Sequence, residues 1–122
     1  MLPEKYSQIL SHEGVVAIAT VGADGPHLIN TWNTYVQVRD DRLLIPVGMM
    51  QQTEKNLADD DRILLTAGTR EVEGSRGAGA GFLIKGTGAF HTSGEAFDTV
   101  HSKFPWARAA LVVTVQSHAQ TL

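Results

Sequence analysis

The chain has 122 residues, 43% hydrophobic and 19% charged, with a formal net charge of −3 and no cysteine. That length reads as a single domain over residues 1–122, able to bury roughly two-thirds of the surface its unfolded chain exposes. The lack of cysteine removes disulfides, thiolate catalysis and cysteine-ligated metals, and agrees with a reducing cytoplasm. The ten lysines and arginines form no run, which argues against nucleic acid; no apolar run reaches the ~18–20 residues of a membrane span, and MLPEKYSQ lacks a signal-peptide pattern.

Pro3 opens a short amphipathic helix reaching about Ser11, with Tyr6, Ile9 and Leu10 at helical spacing, and Gly14 stops it. Val15–Thr20 is rich in β-branched residues and predicts a strand. Gly22-Ala23-Asp24-Gly25-Pro26 is turn chemistry, so a second strand over His27–Val38 pairs with the first as a hairpin. Asp40-Asp41 turns the chain into a third strand, Leu43–Val47, and Thr53–Asp60 predicts a short helix ending in the acidic run Asp59-Asp60-Asp61. Acidic residues are seldom buried, so that run reads as solvated surface.

Arg62–Ala67 is the fourth strand, and Glu71–Gly81, rich in glycine, alanine and charge without periodicity, reads as a mobile loop. Phe82–Phe90 is the fifth strand, with Gly86 and Gly88 marking sharp curvature or close backbone approach. Thr92-Ser93-Gly94-Glu95 has capping-box spacing before a helix to Lys103, Pro105 ends that helix, and Ala109–Val115 is the sixth strand. Six strands with short hairpins and peripheral helices predict a mainly β fold, a small antiparallel β-barrel whose closure hides its edges.

One stretch carries more chemistry than packing requires. Asn30-Thr31-Trp32 places an amide, a hydroxyl and an indole in a strand. An indole offers a flat apolar surface, and Asn and Thr offer short directional hydrogen bonds, which together suit a planar heteroaromatic ring with a polar edge. The bend from Gly48 to Thr53 leads into a helix N-terminus, where free backbone N–H groups hold anions. A ring at one end and a phosphate at the other describe flavin mononucleotide, FMN. The glycine-rich 77–81 stretch precedes a strand rather than a helix and does not match a dinucleotide fingerprint. The five histidines show no ligand pairing on one helix or strand, so no metal site and no catalytic residue is assigned.

In order along the chain stand EGVVAIAT at Glu13–Thr20, DGPHLINTWN at Asp24–Asn33, PVGMMQQTE at Pro46–Glu54, GFLIKG at Gly81–Gly86, WARAALVVTV at Trp106–Val115 and QTL at Gln120–Leu122. With these segments the chain resembles the FMN-binding split-barrel proteins related to pyridoxamine phosphate oxidase, most closely the small dimeric FMN-binding proteins of sulfate-reducing bacteria. The resemblance implies a homodimer of six-stranded split barrels with one FMN per subunit at or near the dimer interface. It implies that Asn30, Thr31 and Trp32 line the flavin, and that Pro46, Val47, Gly48 and Met49 run along the ring toward the phosphate. Gln51, Gln52 and Thr53 fall at the phosphate end, Trp106 shields the ring, and Leu122 reaches across from the partner subunit.

The pattern departs from the resemblance at Met49, where close relatives favour a second glycine, and at Gln52, where they carry a lysine. Losing that lysine removes a formal charge from the phosphate end, and charge-assisted hydrogen bonds are roughly twice as strong as neutral ones. Helix N–H groups, the Thr53 hydroxyl and Lys55 are left to compensate. Three functions stay open on this reading: a flavoprotein passing electrons to an unknown redox partner, an FMN-dependent oxidoreductase such as a flavin reductase or a pyridoxamine phosphate oxidase-like oxidase, and a flavin-free or haem-binding split-barrel module.

Overall fold

In a computed structural model, which describes residues 2–122, helix α1 (Glu4–Leu10) precedes β1 (Val15–Gly22) and β2 (Gly25–Trp32). A 3-10 turn (Asn33–Tyr35) leads to β3 (Gln37–Arg39) and β4 (Arg42–Val47), then α2 (Gln51–Asp59). β5 (Arg62–Gly74), β6 (Gly77–His91), α3 (Glu95–Lys103) and β7 (Ala109–Gln120) complete the chain. The strands form one antiparallel sheet in the order β2-β1-β5-β6-β7-β4-β3.

This differs from the expected barrel in two respects. Among the described residues there are seven strands rather than six, and the edge strands β2 and β3 do not pair to close the sheet. One residue accounts for the extra strand. The predicted His27–Val38 strand breaks at Asn33, which is fully buried and donates through Nδ2 to the Ile9 carbonyl at 3.3 Å and the Gly68 carbonyl at 3.2 Å. Its backbone N–H bonds to the Gly14 carbonyl at 2.9 Å. The backbone bond continues the β1–β2 register by one more position, and the buried side-chain amide, tied to two distant carbonyls, anchors the chain where it leaves the strand.

The expected 71–81 loop is the tip of a long hairpin instead. Glu73 pairs with Ala78 and Gly74 with Gly77 around Ser75-Arg76, with a register shift between Thr69 and Glu73. Backbone pairing needs no apolar side chains, so a stretch of Gly and Ala can be strand without showing strand periodicity. The sixth expected strand likewise runs on, to Gln120, pairing with β6 as far as Phe82. The capping box at Thr92 does not form: Gly94, at φ 94°, is the N-cap of α3, and no side chain caps it.

Gly86 behaves as its position in a strand suggested. The β6–β7 register shifts there, and a Cβ would collide with the Thr114 carbonyl, so only glycine allows this approach.

Strand alternation sends Val16 and Ile18 of β1, Ile63 and Leu65 of β5, Ile84 of β6 and Leu111 and Val113 of β7 into one core with Tyr6 and Ile9 of α1. Burial pushes the Tyr6 phenol's pKa well above its usual range. β4 is buried on both faces. Leu43, Ile45 and Val47 point into that core, and Leu44 points outward beneath α3 with Ala110, Val112, Val100 and Phe104.

Candidate functional site

The Gly48–Thr53 bend is built from the sequence upward as a helix start with free donors. Met50, the N-cap of α2, takes a left-handed conformation, φ 62° and ψ 33°, and no side chain caps the helix. A non-glycine residue there costs on the order of 1–2 kcal/mol, so surrounding contacts must hold it. Glu54 donates its backbone N–H to the Met50 carbonyl at 2.9 Å, leaving the first-turn N–H groups of Gln51, Gln52 and Thr53 outside the helical ladder. The Thr53 hydroxyl in that turn is buried and has no hydrogen-bond partner. A buried hydroxyl without a partner beside unpaired N–H groups fits an anion such as a phosphate monoester.

Gln52 projects elsewhere. Its amide donates to Asn56 Oδ1 at 2.8 Å, and Asn56 Nδ2 donates to Thr20 Oγ1 at 3.1 Å. This relay, buried at Asn56 and Thr20, ties α2 to β1.

Trp106 stands over the bend. A Cβ on Gly48 would lie 3.4 Å from Trp106 Cζ3, which places the indole within van der Waals reach of the bend. The indole also packs on Tyr35, centroids 5.8 Å apart, and on Phe104 at 5.7 Å, yet is 53% exposed. Met49 is 74% exposed, and Pro46 and Val47 are buried at the end of β4.

One residue that sequence reading did not single out, Arg108, completes this cluster. Arg108 donates to the Met49 carbonyl through Nη2 at 2.6 Å and Nε at 3.2 Å, and through Nη2 to Glu54 Oε1 at 2.9 Å. Its guanidinium lies over the Phe90 ring, 5.7 Å from the centroid. Neither partner lies near Arg108 in sequence, so no local pattern marks it. Its place two residues after Trp106 was the one available signal.

The ring-lining segment divides by strand alternation. Asn30 and Trp32 face outward on β2, Trp32 being 51% exposed, and Thr31 turns to the inner side opposite Val16. Asn30 lies across from Ala17 and joins Leu28, Ala19, Leu64 and Leu83 on an outward face that no helix covers. A groove of about 280 Å³ runs along it. Leu122 rests on the β5–β6 hairpin, near Gly81, to whose carbonyl its N–H bonds at 3.4 Å. Gly48 and Trp106 sit by the opposite end of β6, where His91 pairs with Ala110 beside Pro46. The structure therefore brings Gly48, Met49, Trp106 and the first turn of α2 together, and leaves Leu122 apart from them.

Residues 2–120 match the pyridoxamine 5'-phosphate oxidase family. A protein of Nitratidesulfovibrio vulgaris (strain Miyazaki F) named FMN-binding protein is 55% identical over 123 residues, covering all of both chains. Among solved structures, HupZ of Group A Streptococcus superposes with a TM-score of 0.81 at 17% identity, over 98% of this chain and 94% of that one. A Lactobacillus delbrueckii protein provisionally assigned as a pyridoxamine 5'-phosphate oxidase gives 0.72 at 17%, over 97% and 93%. At such identities these two likenesses speak to the fold alone, and both are to split-barrel architecture.

Proposed function

The chain belongs to the pyridoxamine 5'-phosphate oxidase family, and from that premise we propose that it binds FMN non-covalently and passes electrons between redox partners. The observation that carries this reading is the first turn of α2, where an unpartnered buried Thr53 hydroxyl adjoins three backbone N–H groups outside the helical ladder. The name of the 55% identical relative supplies the ligand. In this reading the phosphate sits against Gln51, Gln52 and Thr53, the chain from Gly48 to Met49 follows the ligand, and Trp106 flanks the ring. FMN supplies the redox chemistry when bound; the protein sets its orientation, polarity and solvent access.

Electron transfer is favoured over substrate turnover by the side chains near the proposed ring position. Trp32, Trp106, Met49 and Asn30 offer apolar surface and an amide, and none is suited to carry a proton at neutral pH.

The reading includes a homodimer. Asn30 and Trp32 share the uncovered outward face with Leu28 and Leu64, so a second copy seated on that face would enclose them. Leu122, remote from Gly48 in its own subunit, would then meet the flavin of the other. A stable interface of this kind buries about 1,600 Å² in total.

Aerobic purification, denaturation and identification of the released chromophore test the proposal. FMN at about one per chain is the expected result. A featureless visible spectrum from protein that also fails to take up added FMN overturns it, and a Soret band would point to haem. Deleting Thr121-Leu122 should weaken FMN binding while the protein stays dimeric; full affinity after deletion removes Leu122 from the pocket.

A further inference from the structure

We propose that Arg108 is the positioning residue that lets this helix start accept a phosphate without a lysine, and that it thereby sets the preference for phosphorylated over unphosphorylated flavin. The inference rests on the FMN reading above and concerns a residue outside the segments that reading uses.

The first turn of α2 offers the positive end of a helix dipole, but the same turn carries the Glu54 carboxylate. A carboxylate there repels an incoming phosphate. The position before Thr53 holds no cation to offset it, because residue 52 is glutamine and its amide is committed to Asn56. Arg108 reaches in from the last position of the α3–β7 connection, just before β7. One nitrogen, Nη2, serves both Glu54 Oε1 and the Met49 carbonyl.

Two effects follow from this one placement. The ion pair cancels the Glu54 charge beside the anion site. The double hold on the Met49 carbonyl fixes the residue immediately before left-handed Met50, whose conformation directs the first-turn N–H groups. The guanidinium itself is held by Phe90 and by its own backbone N–H, which bonds to the Val47 carbonyl at 2.9 Å. The forked Nε and Nη2 donors meet the one Met49 carbonyl together, a pairing that the single nitrogen of lysine cannot reproduce.

The test titrates the apoprotein with FMN and with riboflavin, using the wild type, Arg108→Gln, Glu54→Gln and the double variant. Arg108→Gln should weaken FMN by about tenfold or more and riboflavin by no more than about twofold, the scale of one lost charge-assisted interaction. Glu54→Gln keeps the Arg108 hold on Met49 and should tighten FMN alone. Adding Glu54→Gln to Arg108→Gln should recover part of the lost FMN affinity, and raising salt from roughly 50 to 500 mM should shrink the gap between wild type and Arg108→Gln. Equal weakening of both flavins by Arg108→Gln, or no effect of Glu54→Gln on either background, overturns the proposal.

If the wild type binds neither flavin, the FMN reading falls, and inorganic phosphate then decides the role of Arg108. Phosphate-dependent shifts of the Gln51, Gln52 and Thr53 amide resonances that vanish in Arg108→Gln would sustain the charge role. Shifts that persist in the variant, or no shifts in the wild type, would end it.

Discussion

The outward side of the sheet carries two apolar regions of opposite fate. Over β4 and β7, Leu44, Ala110 and Val112 lie under α3, sealed by Val100 and Phe104. Over β1, β2 and β5, Leu28, Ala19 and Leu64 face outward with nothing above them, Leu28 being 70% exposed. Both regions arise from strands with apolar residues on both faces, which normally signals burial on both sides. The first is satisfied within the chain. The second is uncovered within the chain, and it is the face on which the proposed second copy would sit.

The comparison breaks most sharply on the covered side. Phe104→Ala removes a ring packed on Tyr35 and Trp106 and should destabilise the fold by about 3–5 kcal/mol, measured by urea unfolding. The loss should not depend on protein concentration. A cost below about 1 kcal/mol would mean that α3 is not a structural part of the domain.

Leu64→Glu probes the bare side. Leu64 is exposed in the single chain, so the substitution should change monomer stability by no more than about 0.5 kcal/mol. It should nevertheless convert a dimer to a monomer in sedimentation or light scattering, because a carboxylate buried in an interface without a partner is strongly unfavourable. An unchanged dimer would place the interface elsewhere.

Trp32→Ala sharpens the link between that face and the proposed flavin. It should weaken FMN by roughly 1–3 kcal/mol and relieve quenching of flavin fluorescence, by analogy with bases stacked on aromatic side chains. Unchanged affinity and quenching would detach the bare face from ligand binding.

The smallest effect concerns the acidic run after α2, outside both regions. Arg62 hydrogen-bonds Asp60 and lowers its pKa from 3.8 to about 2. A lowered folded-state value means that the pair favours the fold above the unfolded pKa and that this contribution fades as pH falls from about 4 toward 2. Because Asp60 and Arg62 are solvent-screened, Asp60→Asn should leave the unfolding midpoint at pH 7 unresolved from wild type. A clear drop would show that the run is more than solvated surface.

Local chemistry made much of this molecule legible in advance. The β-branched run at Val15, the turns at Asp24-Gly25 and Asp40-Asp41, and the helical spacing in α1 and α2 each depend on neighbours a few residues away, and each element stands where it was expected within a residue or two. The motifs that carry the family resemblance are local as well. The helix start after Gly48, which the proposal takes as an anion site, was also readable, because glycine, a helix start and a Thr hydroxyl fall within six residues.

Tertiary structure alone decided the rest. The break at Asn33 depends on the carbonyls of Ile9 and Gly68, which lie 24 and 35 residues away along the chain. The hairpin tip at 71–81 is specified by backbone pairing between Gly and Ala residues whose side chains leave no periodic trace. Arg108 gains its place by meeting Met49 and Glu54 across more than fifty residues of chain. Periodicity and turn chemistry report what a residue prefers among its neighbours. They are silent on which distant donor or acceptor the folded chain delivers to it, and at Asn33 and Arg108 that delivery is what shapes the sheet and the candidate site.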